Sequence, residues 1–335
     1  MIVSENVSLQ KFSTFGIDVR AARLVDCQAA EDVMQAAVRY AKPPFYVIGG
    51  GSNTVFMGDY PGTVIRPRNK NFMIVRDDNK TVDVKVGAGM AWDDFVAECV
   101  SRSWFGVENL SGIPGNVGAA PVQNIGAYGA QAADVILEVI GFRPGSAKEV
   151  HLTNEECCFG YRDSIFKNEL RNQFLISEVV FRLQKEGECN LEYKGVAEAV
   201  EKVGVPSLRN VRKAIINIRN EKLPDPKVIG NCGSFFKNPV VDKALADILV
   251  KDYPDMPVYP NGNGKVKLSA AWLIDKSGGR EIKLGGVAVY EKQPLVLINK
   301  GNATADDLSM VSTEIVDKVE SVFRIHLDRE VIFVG

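Results

Sequence analysis

Gly49, Gly50 and Gly51, followed by Ser52 and Asn53, come directly after the apolar run Phe45-Tyr46-Val47-Ile48. A glycine turn leaving a strand can aim several backbone N–H groups at one point. Its missing Cβ atoms permit both positive φ and the close approach of a pyrophosphate. The spacing is not G-x-G-x-x-G and the lysine of a Walker loop is missing, so the dinucleotide fingerprint and the P-loop are both set aside. By itself a triple glycine is equally a plain tight turn. A second segment shifts the balance: residues 106–130 hold six glycines, among them Gly112, Gly115 and Gly118, together with Ile113, Val117, Val122 and Ile125. That is too apolar for a solvated linker, and its amides and small side chains could let a flat ring lie against backbone. The two histidines, His151 and His326, have no carboxylate or cysteine at metal-ligand spacing, so neither a histidine metal site nor a Ser-His-Asp triad is expected.

The elements that must position these loops follow from periodicity. Val33, Ala36, Ala37 and Tyr40 repeat at helical spacing over residues 30–40, and the strand before Gly49 follows. Thr81-Val82-Asp83-Val84-Lys85-Val86 alternates as a half-buried strand should, and Gly87-Ala88-Gly89 then turns into a helix carrying Trp92, Phe95, Val96 and Cys99. Strand-like runs at 135–142 and 174–183, rich in β-branched and aromatic residues, point to a mixed α+β fold. The prolines of Lys222-Leu223-Pro224-Asp225-Pro226 interrupt the helix predicted over 208–221 and set the last domain boundary there. Beyond it the pattern predicts helices near 242–252 and 268–276 and a strand at 295–299. A helix near 306–323, with Leu308, Val311, Ile315, Val319 and Val322 inward, and a terminal strand at 330–334 follow.

At 335 residues the chain is long enough for two or three domains. Forty basic and 42 acidic residues give a net charge of −2, too little field to hold a nucleic acid or an anionic membrane. No apolar run approaches the roughly 20 residues of a membrane span, and the N-terminus lacks a charged start before an apolar core. The six cysteines show no CxxC spacing, which suits a reducing cytoplasm.

Seven motifs in order, GGGSN at 49–53, SGIPGNVGAAPVQNIGAYG at 111–129, YRDSIFK at 161–167, KLPDP at 222–226, GSFFKNP at 233–239, AWLID at 271–275 and the terminal EVIFVG, resemble the UDP-N-acetylenolpyruvylglucosamine reductase family over nearly the whole chain. The resemblance implies a three-domain α+β flavoprotein of the vanillyl-alcohol-oxidase-like (PCMH) type. Its FAD-binding parts would span residues 1–67 and 68–222, and a substrate-binding domain residues 223–335. It also implies the activity: NADPH reduces FAD, and the enolpyruvyl ether of a UDP-sugar is reduced to a lactyl ether. That step belongs to peptidoglycan precursor synthesis, hence to cell-wall biogenesis, cell shape and cell division.

By the same resemblance, Gly49, Gly50, Gly51, Ser52 and Asn53 take the FAD pyrophosphate. Gly112, Ile113, Pro114, Gly115, Val117, Gly118, Ala119, Ala120, Gln123, Asn124, Gly126, Ala127 and Tyr128 face its isoalloxazine and ribityl groups. Hydride addition to an enol ether conjugated with a carboxylate needs the resulting negative charge stabilised. The matched residues for this are Arg162, whose planar donors suit two carboxylate oxygens, and a protonated Glu330. Ser234 matches the proton donor to the α carbon. Lys222, Asn238, Tyr259, Lys267 and Gln293 correspond to substrate contacts. Tyr193, in Asn190-Leu191-Glu192-Tyr193-Lys194-Gly195, corresponds to the tyrosine that reaches the substrate pyrophosphate in the longer form of the family. Outside the resemblance, Arg162 reads as a brace of its own turn, Glu330 as a strand-end carboxylate and Ser234 as a turn serine. A monomer without metal, nucleic-acid or membrane partners is expected. The rival enzyme is an FAD-linked oxidase of an alcohol or lactone on the same scaffold, which often attaches flavin through a loop histidine that this chain lacks. A nucleotide-sugar-binding module without activity is the rival outside enzymes.

Overall fold

A computed structural model describes all 335 residues. By contacts the chain forms two compact units. One comprises Met1–Ser8, Arg20–Gly51 and Tyr60–Glu221, and the other Leu9–Val19, Ser52–Asp59 and Lys222–Gly335.

The first unit holds two sheets. In the smaller, the order is Ile2–Ser8, Arg20–Cys27, Tyr60–Pro67, Phe45–Val47; the first pair is antiparallel and the others parallel. The larger runs Glu149–Thr153, Ile136–Phe142, Leu175–Gln184, Thr81–Gly87, Phe72–Asp77 and is antiparallel throughout. The helix Ala30–Arg39 packs Val33, Ala36 and Ala37 among Val25 and Ile65 of the first sheet and Phe142 and Leu175 of the second. Its amphipathic spacing is what lets one helix serve both sheets. Leu175–Gln184 is the middle strand and is covered on both faces, which is why its burial is near-continuous rather than alternating and takes in Ser177 and Glu178.

The helix Trp92–Ser101 covers the larger sheet through an aromatic cluster. Ring centroids lie 5.4 Å apart for Trp92 and Phe95, 5.9 Å for Trp92 and Phe181, and 4.5 Å for Phe95 and Phe181. Trp92 also donates its indole N–H to the Leu110 carbonyl at 2.9 Å, so the largest core residue ties the start of the second glycine loop to the core.

The second unit contains the antiparallel sheet Gly230–Ser234, Gln293–Asn299, Val287–Tyr290, Lys283–Leu284 and a three-stranded sheet Val240–Asp242, Lys265–Leu268, Val258–Pro260. Helices Lys243–Asp252, Ala270–Lys276 and Ala305–Phe323 accompany them. Thr304 caps the last helix: its hydroxyl accepts from Asp307 N–H at 3.1 Å while the Asp307 carboxylate accepts from Thr304 N–H at 3.1 Å. That helix buries Leu308, Val311, Ile315 and Val319 as expected, but Val322 is 44% exposed and Phe323, at 1%, takes the inward place. One step of four residues from Val319 keeps the buried face, whereas a step of three turns outward here.

Sequence patterning did not anticipate the excursions of residues 9–19 and 52–59 into this unit. Thr54–Phe56 pairs in parallel with the terminal strand Ile332–Val334, Ser13 donates to the Thr54 carbonyl at 2.7 Å, and Thr14 exchanges hydrogen bonds with Asn231 at 2.6 and 3.0 Å. Short strands with partners this distant in the chain carry no local signature.

Replacing Phe181 with Ala should lower stability by about 3–5 kcal/mol, since a fully buried ring shared by two aromatic neighbours is lost. Urea unfolding of the holoprotein reads this as a fall in midpoint. A change below about 1 kcal/mol would mean that the cluster is not a cooperative part of the core.

Candidate functional site

The two glycine loops of the first unit lie backbone to backbone. A Cβ at Gly50 would fall 2.9 Å from Gly115 Cα and 3.0 Å from Asn116 Oδ1, and one at Gly49 would fall 3.2 Å from Ala119 Cβ. Glycine is required at Gly50 because no side chain fits that approach. Gly51, Gly112 and Gly115 have φ of +64°, +70° and +115°, values that turn backbone N–H groups away from the regular strand direction. Residues 116–118 are laid along 88–90: Val117 N–H donates to Met90 O, Gly118 N–H to Ala88 O, both at 2.9 Å, and Asn116 Nδ2 to Gly89 O at 3.0 Å. Two close-packed, amide-bearing turns, with only the Asn116 and Ala119 side chains against Gly49 and Gly50, form the kind of cradle a dinucleotide pyrophosphate needs.

Side chains of the second loop mostly serve its anchorage. Val117 and Ala120 are buried in the core, with Ile113, Val122, Ile125 and Ala127 packed against it. Asn124, at φ +44°, spends its whole side chain internally: Nδ2 donates to Gln131 Oε1 and Gly160 O, each at 3.0 Å, and Oδ1 accepts from Ala133 N–H at 2.9 Å. Small residues here therefore allow the loop to approach its own protein. Gly118 illustrates it, because a Cβ there would meet Ala88 Cβ at 2.6 Å.

Arg162 is drawn to this loop. It occupies the left-handed region at φ +55°, donates to the carbonyls of Gly126 and Asn124, and lies over the Tyr161 ring at 5.4 Å. Its unfavourable backbone is held by the turn in which Gly160 and Asp163 exchange backbone hydrogen bonds, and by Lys167 Nζ donating to its carbonyl at 3.1 Å.

Arg219, Arg212 and Asp93 were not singled out in the sequence, yet they fasten the helix Leu208–Lys222 to the second loop. Arg212 forms a two-pronged ion pair with Asp93 at 2.6 and 2.8 Å, and Asp93 also accepts Gly112 N–H at 2.6 Å. Burial alone would raise the Asp93 carboxyl; Arg212 and the Gly112 amide outweigh it and hold Asp93 below the usual carboxylate range. Arg219 Nε donates to Gly112 O at 3.0 Å, and its guanidinium hydrogen-bonds the Tyr128 hydroxyl. Burial pushes the Arg219 pKa down and that of Tyr128 up, while their mutual contact works against both shifts. Only the seven-residue spacing of these arginines, which puts both on one side of an amphipathic helix, hinted at them. The Tyr128 ring in turn meets Tyr193 edge-on, with centroids 5.5 Å apart.

In the second unit the backbone of Glu330 is bonded to Asn53 and to Phe235, the residue after Ser234. Ser234 ends its strand after Gly233 at φ +66°, and the next residue, Phe235, accepts Glu330 N–H at 2.8 Å. Asn53 Nδ2 donates to Glu330 O at 3.1 Å, and Ile332 N–H donates to Asn53 O at 3.0 Å. Tyr259 and Lys267 are direct cross-strand partners and thus share a sheet face. Gln293 opens the strand that pairs with Ser234 at Val296. Asn238 Oδ1 accepts Ala270 N–H at 3.0 Å, so this side chain is partly committed to a helix start. Lys222 is the exposed last residue of its helix, and Arg280 pairs with Asp275 at 2.5 Å.

The histidines belong to other surroundings. His151 bridges Glu138 and Glu149, each at 2.9 Å; burial lowers its pKa, but the two carboxylates outweigh this and raise it. His326 meets Glu320 at 3.0 Å. No group of three or more His, Cys, Asp or Glu side chains converges as a metal site would require, and no helix is long and apolar enough to cross a membrane.

The paired glycine turns and the sheets that carry them define an FAD-binding flavoprotein: residues 21–140 match the FAD binding domain, and the fold resembles the crystal structure of 6-hydroxy-D-nicotine oxidase from Arthrobacter nicotinovorans, with TM-score 0.52 at 13% identity over 96% of this chain and 85% of that one. Residues 225–334 match the C-terminal domain of UDP-N-acetylenolpyruvoylglucosamine reductase. A reductase of that name from Chromobacterium violaceum is 40% identical over 97% of both chains, and the crystal structure of the Thermus caldophilus reductase has the same fold, with TM-score 0.70 at 22% identity over the whole of both chains. The chain belongs to the UDP-N-acetylenolpyruvoylglucosamine reductase family.

Gly118→Val should yield protein depleted of FAD, because its side chain must displace the loop from Ala88. Combining Gly118→Ala with Ala88→Gly, which removes the opposing methyl, should recover more bound FAD than Gly118→Ala alone. Absorbance of the purified proteins near the flavin band measures this, and full retention in Gly118→Val would remove the loop from the cofactor site.

Proposed function

We propose that this chain reduces UDP-N-acetylglucosamine enolpyruvate to UDP-N-acetylmuramate with NADPH, through bound FAD, in peptidoglycan precursor synthesis. Full-length agreement with the reductase family carries this reading. Bound FAD would supply the hydride chemistry that links NADPH to the enolpyruvyl double bond.

The chain's own residues are assigned as follows. Backbone N–H groups of residues 49–53 and of the second loop hold the cofactor, and at Asn124 the contact falls to the backbone since the side chain is spent. Arg162 pairs with the substrate carboxylate, and Glu330, protonated, donates a hydrogen bond to it, so that negative charge developing there is stabilised. Ser234 gives its hydroxyl proton to the α carbon. The hydrogen bond from Glu330 N–H to Phe235 O supports the last two roles, since it fixes Glu330 beside the residue that follows Ser234. Tyr193, Lys222, Asn238, Tyr259, Lys267 and Gln293 bind the nucleotide sugar, a reading supported by the cross-strand pairing of Tyr259 with Lys267.

Of the division into FAD-binding parts 1–67 and 68–222 and a substrate domain 223–335, the change of unit between Glu221 and Lys222 supports the last boundary alone, since residues 1–67 and 68–222 are not separated and residues 9–19 and 52–59 fall in the C-terminal unit. A monomer acting in the reducing cytoplasm suits six free cysteines, with burial pushing the Cys27, Cys157 and Cys232 thiols up to about 12.

Ser234→Ala separates the two half-reactions. NADPH should still bleach the flavin at close to the parental rate, while reoxidation by the enolpyruvyl sugar should slow roughly 10²–10⁴-fold, the usual loss for a missing general acid. Stopped-flow absorbance follows both steps. Equal slowing of the two would indicate disturbed flavin binding, and unchanged reoxidation would remove Ser234 from the mechanism.

A further inference from the structure

Asn109 is 2% exposed, and its carboxamide is oriented at a cost: the side-chain oxygen is buried with no hydrogen-bond partner. An unsatisfied buried oxygen destabilises the fold, so the orientation must be set by what the N–H₂ end does. Its two N–H bonds go to different segments, to Tyr128 O at 2.8 Å and to Asn190 O at 2.9 Å. Flipping the amide would place oxygen against two carbonyl oxygens, which rules out the alternative assignment.

The turn bearing Asn109 is immobilised from three sides. Glu108 accepts Gly106 N–H at 2.8 Å, Ser111 Oγ donates to Glu108 O at 2.6 Å, and Leu110 O receives the Trp92 indole. What the amide reaches is less constrained. Tyr128 sits in the left-handed region at φ +50°, and residues 187–192 have no regular secondary structure. A cavity of about 310 Å³, lined among others by Asn109, Gly129, Ala130 and Asn190, leaves the junction thinly packed. Other ties at the junction include Asn190 Nδ2 to Gly129 O at 3.3 Å, the edge-on contact of Tyr128 with Tyr193, and the packing of Cys189, Leu191 and Tyr128 on one small apolar cluster.

We infer that Asn109 is a positioning residue that registers the Tyr193 segment against the second glycine loop and thereby sets affinity for the nucleotide sugar. Because one amide holds both carbonyls, the distance between Tyr128 and Tyr193 is fixed from a rigid turn. This rests on the assignment of Tyr193 as a substrate contact, and the test separates the two claims.

Asn109→Ala is compared with Tyr193→Phe and with the double variant, each as FAD-loaded protein. Hydrogen exchange of the 189–196 amides, measured without substrate, should rise in Asn109→Ala. KM for the enolpyruvyl sugar should rise about tenfold, the loss expected for two hydrogen bonds, with flavin bleaching by NADPH within about threefold of the parent. Adding Asn109→Ala to Tyr193→Phe should raise KM little further, since the amide acts through the tyrosine. Unchanged exchange would overturn the registering role, and fully multiplicative KM effects would overturn its action through Tyr193. Unchanged KM in Tyr193→Phe would overturn the substrate assignment instead, and with it the claim on affinity. Should Asn109→Ala not retain FAD, Asn190→Ala removes the Nδ2 bond to Gly129 while sparing the buried amide, and should move exchange and KM in the same directions by less.

Discussion

The glycine loops depend on one close approach: Gly50 stands so near Gly115 that a single methyl group would not fit between their backbones. A shared amide surface for a diphosphate follows from it, because two turns can present their amides together only when their backbones come this near. The contact is defended on the far side by residues 116–118, hydrogen-bonded along 88–90, and by Gly118 lying against Ala88. The small residues of this region therefore face inward as much as toward a ligand. Their first task is to bring backbone to backbone.

A second constraint is the layer behind the loop. Trp92 holds Leu110, Asp93 holds Gly112 N–H, and Arg219 holds Gly112 O, so the loop's entry is gripped by one helix on each side. Burial of the Arg219 guanidinium lowers its pKa, and the Tyr128 hydroxyl, with Asp93 behind it, opposes that cost only in part. These contacts fix the loop's entry from two helices, and a fixed backbone is what a cofactor cradle requires. In the other unit, Glu330 is held through Asn53 and Phe235. The bond from Asn53 joins residues 277 positions apart, so the backbone of Glu330 is held in this way only when nearly the whole chain is present.

Much of this was legible in advance. The helices over Ala30–Arg39, Trp92–Ser101, Leu208–Lys222 and Ala305–Phe323 follow their apolar periodicity, and the strands Thr81–Gly87 and Leu175–Gln184 follow their β-branched and aromatic content. The family and its cofactor were legible from motif order. Residues such as Arg219 and Asn109 were not, because a polar side chain on a helix or in a turn looks the same in sequence whether it meets water or a buried carbonyl. The inward placing of Val322 failed for a related reason: periodicity permits steps of three or four residues, and packing chose Phe323.

By itself, then, the sequence determined the local elements, the glycine turns and the chemical types available to them, since propensity, periodicity and backbone freedom act within a few residues. Only the tertiary structure decided that residues 9–19 and 52–59 join the C-terminal part, that Glu330 bonds the residue after Ser234, and that Asn109 spans two loops. Those pairings depend on hydrogen bonds and close contacts between segments far apart in the chain, whose partners are chosen by burial and by the requirement that buried polar groups be satisfied.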